Sequence, residues 1–133
     1  MDWLDKKRDL TTEDLIQVER EFNINLPDNY KDNIKGINGG ALVSAYVLVD
    51  GVGKVSYSRN VPLNKEAKAN IFEIGKYVLK DEKIFFPIAG DGFGNYFCLN
   101  LKENTIVFWE HESDKVVYVC DTFTQLLSKI KTK

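Results

Sequence analysis

The sequence predicts an α+β fold: a bent, mostly antiparallel β-sheet packed by helices near both ends of the chain. Three observations carry that expectation. A capped amphipathic helix opens after Thr11, short β-rich runs separated by polar turns fill residues 84–120, and a second capped amphipathic helix closes the chain.

The first eight residues are mostly charged, with Trp3 and Leu4 as their apolar handle, and this tip is expected to fray. Thr11 or Thr12 is the N-cap of the first helix, and Glu13 and Asp14 sit in its first turn, where the helix dipole favours negative charge. Leu15, Val18 and Phe22 recur at helical spacing, Ile16 widens the stripe, and the helix should end near Asn23. Pro27 disfavours helix at Leu26, so Asp28 is expected to cap a second helix running through Tyr30, Ile34 and Ile37. Asn38-Gly39-Gly40 ends it, because these residues accept positive φ at little cost.

From Ala41 to Val49 the chain is nearly continuously apolar and reads as a strand. Asp50-Gly51 turns it into a return strand over Gly53 to Ser58. Arg59 to Lys68 is polar, contains Pro62 and reads as a loop. Ile71, Ile74 and Val78 predict a short helix over Ala69 to Leu79, although Gly75 weakens it. Ile84 to Ala89 is a strand whose Pro87 places it at an edge or a strand end. After a tight loop at Gly90 to Gly94, Tyr96 to Leu101 alternates, with Phe97, Leu99 and Leu101 on one face. Lys102-Glu103-Asn104 and Glu110 to Asp114 are turns flanking a strand over Thr105 to Trp109, and Lys115 to Cys120 is the next strand. Consecutive strands with connections this short pair antiparallel. Asp121 or Thr122 caps the final helix, and Thr122-x-x-Gln125 has the form of a capping box. Phe123, Leu126, Leu127 and Ile130 line one of its faces, while Lys129, Lys131 and Lys133 complement its C-terminal dipole.

A chain of 133 residues fits one domain, and the 1–133 span is read as such. Its 8 Phe, 6 Tyr and 2 Trp favour a sheet-centred core. The 18 basic and 20 acidic residues leave a net charge of −2, without the basic footprint of a nucleic-acid binder. No apolar run approaches the ~20 residues of a membrane span, and the polar N-terminus lacks the pattern of a signal peptide, so a cytosolic protein is expected. Cys98 and Cys120 are expected to be buried free thiols rather than a disulfide.

The chemistry-bearing residues point to binding rather than catalysis. Gly92 and Gly94 could bring backbone amides to a phosphate, but a strand follows them instead of a helix, so the pattern is that of a tight turn braced by Asn95. His111 is the only histidine; paired with Cys98 or Cys120 it could serve a nucleophile, yet its setting between Glu110 and Glu112 reads as a polar hairpin turn. Phe108 and Trp109 point to opposite sides of their strand. Trp109 either packs under the last helix or stands exposed as a partner anchor, and packing is the more common fate. Asp50, Asp81, Glu82, Asp91, Glu110, Glu112 and Asp114 are scattered, with no two paired for acid–base work by sequence; as a rim they could steer a basic partner. No cofactor or metal ligand set is indicated.

Four pieces, LPDNY with NGG, IAGDGFGNYFCLN, IVFWEHE and DTFTQLL, stand in an order and spacing that resembles the SUKH superfamily, named for fungal cell-wall-assembly regulators and their bacterial relatives. The resemblance runs from about Thr11 to Ile130. It implies a strongly bent, mostly antiparallel sheet with packed helices. It also implies that Gly39, Gly40, Asp91, Gly92, Gly94, Asn95, Trp109, Asp121 and Phe123 are family-motif positions with mainly structural roles. Bacterial members are typically immunity proteins that bind a toxin domain, frequently a nuclease, so the resemblance implies a protein partner, with no direct nucleic acid and no catalysis. The alternative it allows is a regulatory or scaffold interaction module without a toxin. Members often carry Asp where this chain has Asn100 and Ser where it has Thr122. The Thr preserves a cap, and the Asn preserves an acceptor while removing a charge.

Overall fold

The computed structural model describes residues 1–78 and 84–133. The expected end of the third helix at Leu79, and the carboxylates of Asp81 and Glu82, lie outside the described residues.

Helix α1 (Thr12–Phe22) begins where Thr11 accepts a hydrogen bond from the Asp14 amide and Asp14 accepts one from the Thr11 amide, a reciprocal capping box. It stops at Asn23, whose left-handed φ of 53° lets its N–H reach the last carbonyls. Helix α2 (Asp28–Ile34) follows Pro27. Asp28 was expected to cap it, but Pro27 holds the cap position without a side-chain bond and Asp28 is the first helical residue. There its carboxylate still favours the dipole. Gly39, at φ 68°, closes the turn after α2.

Strand β1 (Ala45–Val49) is shorter than the apolar run that predicts it. Ser44 has a positive φ of 53°, which breaks the extended backbone, and Ala41 makes only isolated bridges to Leu4 and Arg59. β2 (Gly53–Ser56) returns antiparallel to β1. The segment expected to be a loop contains a short strand, β3 (Arg59–Asn60), paired with the end of β4 (Phe85–Gly90). Helix α3 (Ile71–Val78) lies between them in sequence. β5 (Tyr96–Asn100), β6 (Thr105–Glu110) and β7 (Lys115–Cys120) complete an antiparallel sheet of order β3-β4-β5-β6-β7. Pro87 stands beside a register shift in the β4–β5 ladder and outside the two-residue pairing with β3. A residue with no N–H is tolerated in such a place.

Helix α4 (Phe123–Lys129) starts with the expected capping box between Thr122 and Gln125. Its C-terminal lysines behave differently from the expectation. The chain turns extended at Ile130, and Lys131 with Thr132 forms β8 (Lys131–Thr132) against β1. Only Lys129 complements the helix dipole. The antiparallel strands therefore form two sheets, the second having the order β2-β1-β8.

The main core lies where the inner face of the five-stranded sheet (Phe86, Ile88, Phe97, Leu99, Ile106, Phe108) meets the four helices and the small sheet, with Ile71 supplied by α3. The opposite face carries a smaller cluster of Cys98, Val107 and Trp109, joined by Ile74, Phe85 and Tyr96. Trp109 is buried, as expected, but not beneath α4, whose Phe123 and Leu126 belong to the main core. The N-terminal segment, read as a tip liable to fray, is hydrogen-bonded along the fold: Leu4 exchanges bonds with Ala41 at 2.8 Å, and Lys7 N–H donates to the Asn38 carbonyl.

Candidate functional site

The loop between β4 and β5 is built around one carboxylate. Asp91 is buried to 8% exposure; its side chain accepts from the amides of Phe93 (2.7 Å) and Asn95 (3.2 Å) and from Asn95 Nδ2 (2.8 Å). Asp91 N–H in turn donates to the Asn95 carbonyl, closing the loop. Asp side chains favour this local bonding to following amides, which is why the residue type suits a turn. Asp91 is thus the main brace, the part expected of Asn95. Gly92 and Gly94 both hold φ near +90°, a region closed to other residues without strain. At Gly94 a side chain is excluded twice over, because a Cβ would stand 3.1 Å from the His111 ring.

Asn95 reaches outward instead. Its Nδ2 faces a carboxylate that only accepts, so its Oδ1 is the acceptor for the His111 amide (3.0 Å) and for His111 Nδ1 (2.8 Å). His111 Nδ1 therefore carries a proton, and Nε2 points away, 4.0 Å from Glu112. The Asp91–Asn95–His111 chain locks the β4–β5 loop to the β6–β7 turn. Trp109 steadies that turn from below, donating Nε1–H to Asp114 at 2.6 Å.

What the brace presents is Phe93, at the loop tip and 75% exposed. Beside it, Tyr96 lays its ring over Gly90, where a Cβ would approach to 3.3 Å. Burial pushes the Tyr96 phenol above its ordinary value, and the Asp91 charge adds to the shift. Gly90, Tyr96, Ser58, Arg59 and Ile74 line a cleft of about 130 Å³. Arg59 is committed to structure, donating to the Gly39 carbonyl at 2.9 Å and pairing with Asp5 at 3.1 Å.

The remaining motif residues lie elsewhere. Gly39 and Gly40 sit under the N-terminal strap, where a Cβ would meet Lys7 at 2.5 Å and the Trp3 ring at 3.1 Å respectively. Asp121 accepts from the Tyr118 hydroxyl at 2.6 Å, and the Phe123 amide donates to Asn29 at 2.9 Å, so both position the start of α4. The motif residues therefore occupy several places, and Asp91, Gly92, Gly94 and Asn95 are the ones brought together with His111. Neither thiol joins them. Cys98 and Cys120 are free and buried, their sulfurs facing the Tyr96 and Thr122 carbonyls. Burial pushes Cys120 up to about 11 and Cys98 higher still, so neither is a thiolate nucleophile near neutral pH. Among the described residues, no three His, Cys, Asp or Glu side chains converge as a metal site, and no helix is long and apolar enough to cross a membrane.

The exposure of Phe93 is not among the expectations drawn from the sequence. The signal was present: a large aromatic between two glycines at the tip of a short loop has no neighbouring surface under which to bury.

A family model described as SMI1-KNR4 cell-wall (SUKH_6) matches residues 12–127. No curated protein matches the chain. A crystal structure of a protein from Pseudomonas syringae pv. tomato is similar in fold, with a TM-score of 0.58 at 16% identity, covering 84% of this chain and 75% of that one.

Proposed function

We propose, from the premise that this chain belongs to the SMI1-KNR4 cell-wall family (SUKH_6), that it is a non-catalytic binding protein: an immunity protein that occludes a cognate bacterial toxin domain in the cytosol, with nucleases the leading partner class. The observation that supports the reading best is a preformed loop, braced by buried Asp91, that holds the 75%-exposed Phe93 in solvent. A large aromatic on a rigid frame loses little conformational freedom on docking, so more of its burial energy appears as affinity. Neutralisation then follows from blocked access, with no bond made or broken. The high pKa values of both thiols favour binding over covalent chemistry.

The test is co-expression with any domain encoded by the neighbouring genes that is toxic when expressed alone. Growth rescue together with a stable co-purified complex is the expected result; absence of both overturns the reading. The cell-wall wording of the family description favours a second reading, a regulatory interaction module with no toxin. That reading predicts a complex with another protein and no rescue.

A further inference from the structure

The two sides of the Phe93 loop differ in chemistry, and the difference describes the partner. On one side lies the cleft under Tyr96 and Gly90, about 130 Å³ and lined mostly by carbon. On the other lies the β6–β7 turn, where Glu110, Glu112 and Asp114 stand against a single Lys115. The Glu112 side chain is 90% exposed, and among the described residues it pairs with no Lys or Arg, its one near neighbour being His111 Nε2 at 4.0 Å. The hydrogen bonds from His111 to Asn95 tie the backbone of this acidic turn to the Phe93 loop.

Resting on the immunity reading above, we propose that the toxin domain docks on this composite surface with a cationic face that offers an apolar socket to Phe93. The partner inserts one aliphatic side chain into the Tyr96 cleft, and its Lys or Arg residues meet Glu110 and Glu112. Phe93 and the cleft supply the short-range affinity, because apolar anchors seated in pockets dominate interface energetics. The carboxylates supply encounter rate and orientation, because rim charges act mainly on association. A domain that must itself grip an anionic substrate has the positive surface this arrangement needs.

The test measures association of the full chain with the adjacently encoded toxin domain by surface plasmon resonance, alongside growth rescue. Phe93→Ala is expected to weaken binding about 30-fold, mostly through faster dissociation, with an unchanged melting temperature. Phe93→Trp keeps most of the affinity. The double variant Glu110→Lys, Glu112→Lys slows association about tenfold and flattens its dependence on salt. Leu48→Asp, on the small sheet, leaves binding intact. If wild type binds and rescues while the Phe93 and charge-reversal variants bind equally well, the docking surface is wrong and the immunity reading stands. Loss of binding in Leu48→Asp alone places the interface on the small sheet and likewise overturns the surface. If wild type neither binds nor rescues, the immunity reading falls and the surface proposal falls with it.

Discussion

Tyr30 lies fully buried between Phe86 and Phe123, with ring centroids 6.1 and 5.1 Å away, and its hydroxyl finds no hydrogen-bond partner among the described residues. Burial pushes the phenol far above its ordinary value, so it stays protonated. Leaving a buried hydroxyl unpartnered costs roughly 1–3 kcal/mol. Tyr30→Phe is therefore expected to hold or raise the urea midpoint; a clear loss of stability would show that the hydroxyl has a partner. Asp14 presents the opposite case. It accepts a two-pronged bond from Arg8 at 2.7 and 2.9 Å as well as the Thr11 amide, and the Arg8 guanidinium holds its carboxyl well below the ordinary carboxylate range. A depressed carboxyl stabilises the fold above its unfolded value of about 3.9 and loses that contribution as pH falls through the folded value. Asp14→Asn should lower the melting temperature at pH 7, and the gap to wild type should begin to close below about pH 4. A gap that stays constant to pH 2.5 would rule the ion pair out as its source.

Helix ends and strand alternation were legible in the sequence because they rest on neighbours a few residues apart. The capping boxes at Thr11 and Thr122, and the alternation that sends Phe97 inward and Cys98 outward, are of this kind. The misses depend on distant partners. Ser44 breaks β1 through a backbone angle that no pattern marks, and β3 exists because Asn60 meets Ala89. The lysines of β8 suit a helix end, yet Lys131 pairs with Tyr46 across the chain. The candidate site divides the same way: its glycines and Asp91 announced a turn, whereas the link from Asn95 to His111 spans separate strands and could not be read locally. The C-terminal strand makes a direct test. Ending the chain at Ile130 removes the Ala45–Thr132 and Tyr46–Lys131 pairs and the bond from Lys133 N–H to the Ser44 carbonyl. Amide exchange should accelerate at residues 44–46 while α1 and β5 remain protected, and stability should fall by about 1–2 kcal/mol. Unchanged exchange at those amides would mean that β8 contributes nothing.

Two sheets, four helices and the N-terminal strap converge on a shared core, and Phe123 is its junction. It is fully buried, stacks edge-on to Tyr30 of α2, and has its own amide held by Asn29. Phe123→Ala should cost about 3–5 kcal/mol by leaving a cavity where the elements meet, read as a lower denaturant midpoint with an unchanged m-value. A cost below about 1 kcal/mol would mean that the helix packs loosely. The Phe93 loop is organised on the reverse plan. Asp91, Gly92, Gly94, Asn95, His111 and the backbone amide of Phe93 hold the frame, while the exposed Phe93 side chain takes no part in it. The frame is indifferent to what it displays. If the proposed docking through Phe93 holds, a single codon can rewrite partner choice while the folded architecture and its stability stay where they were.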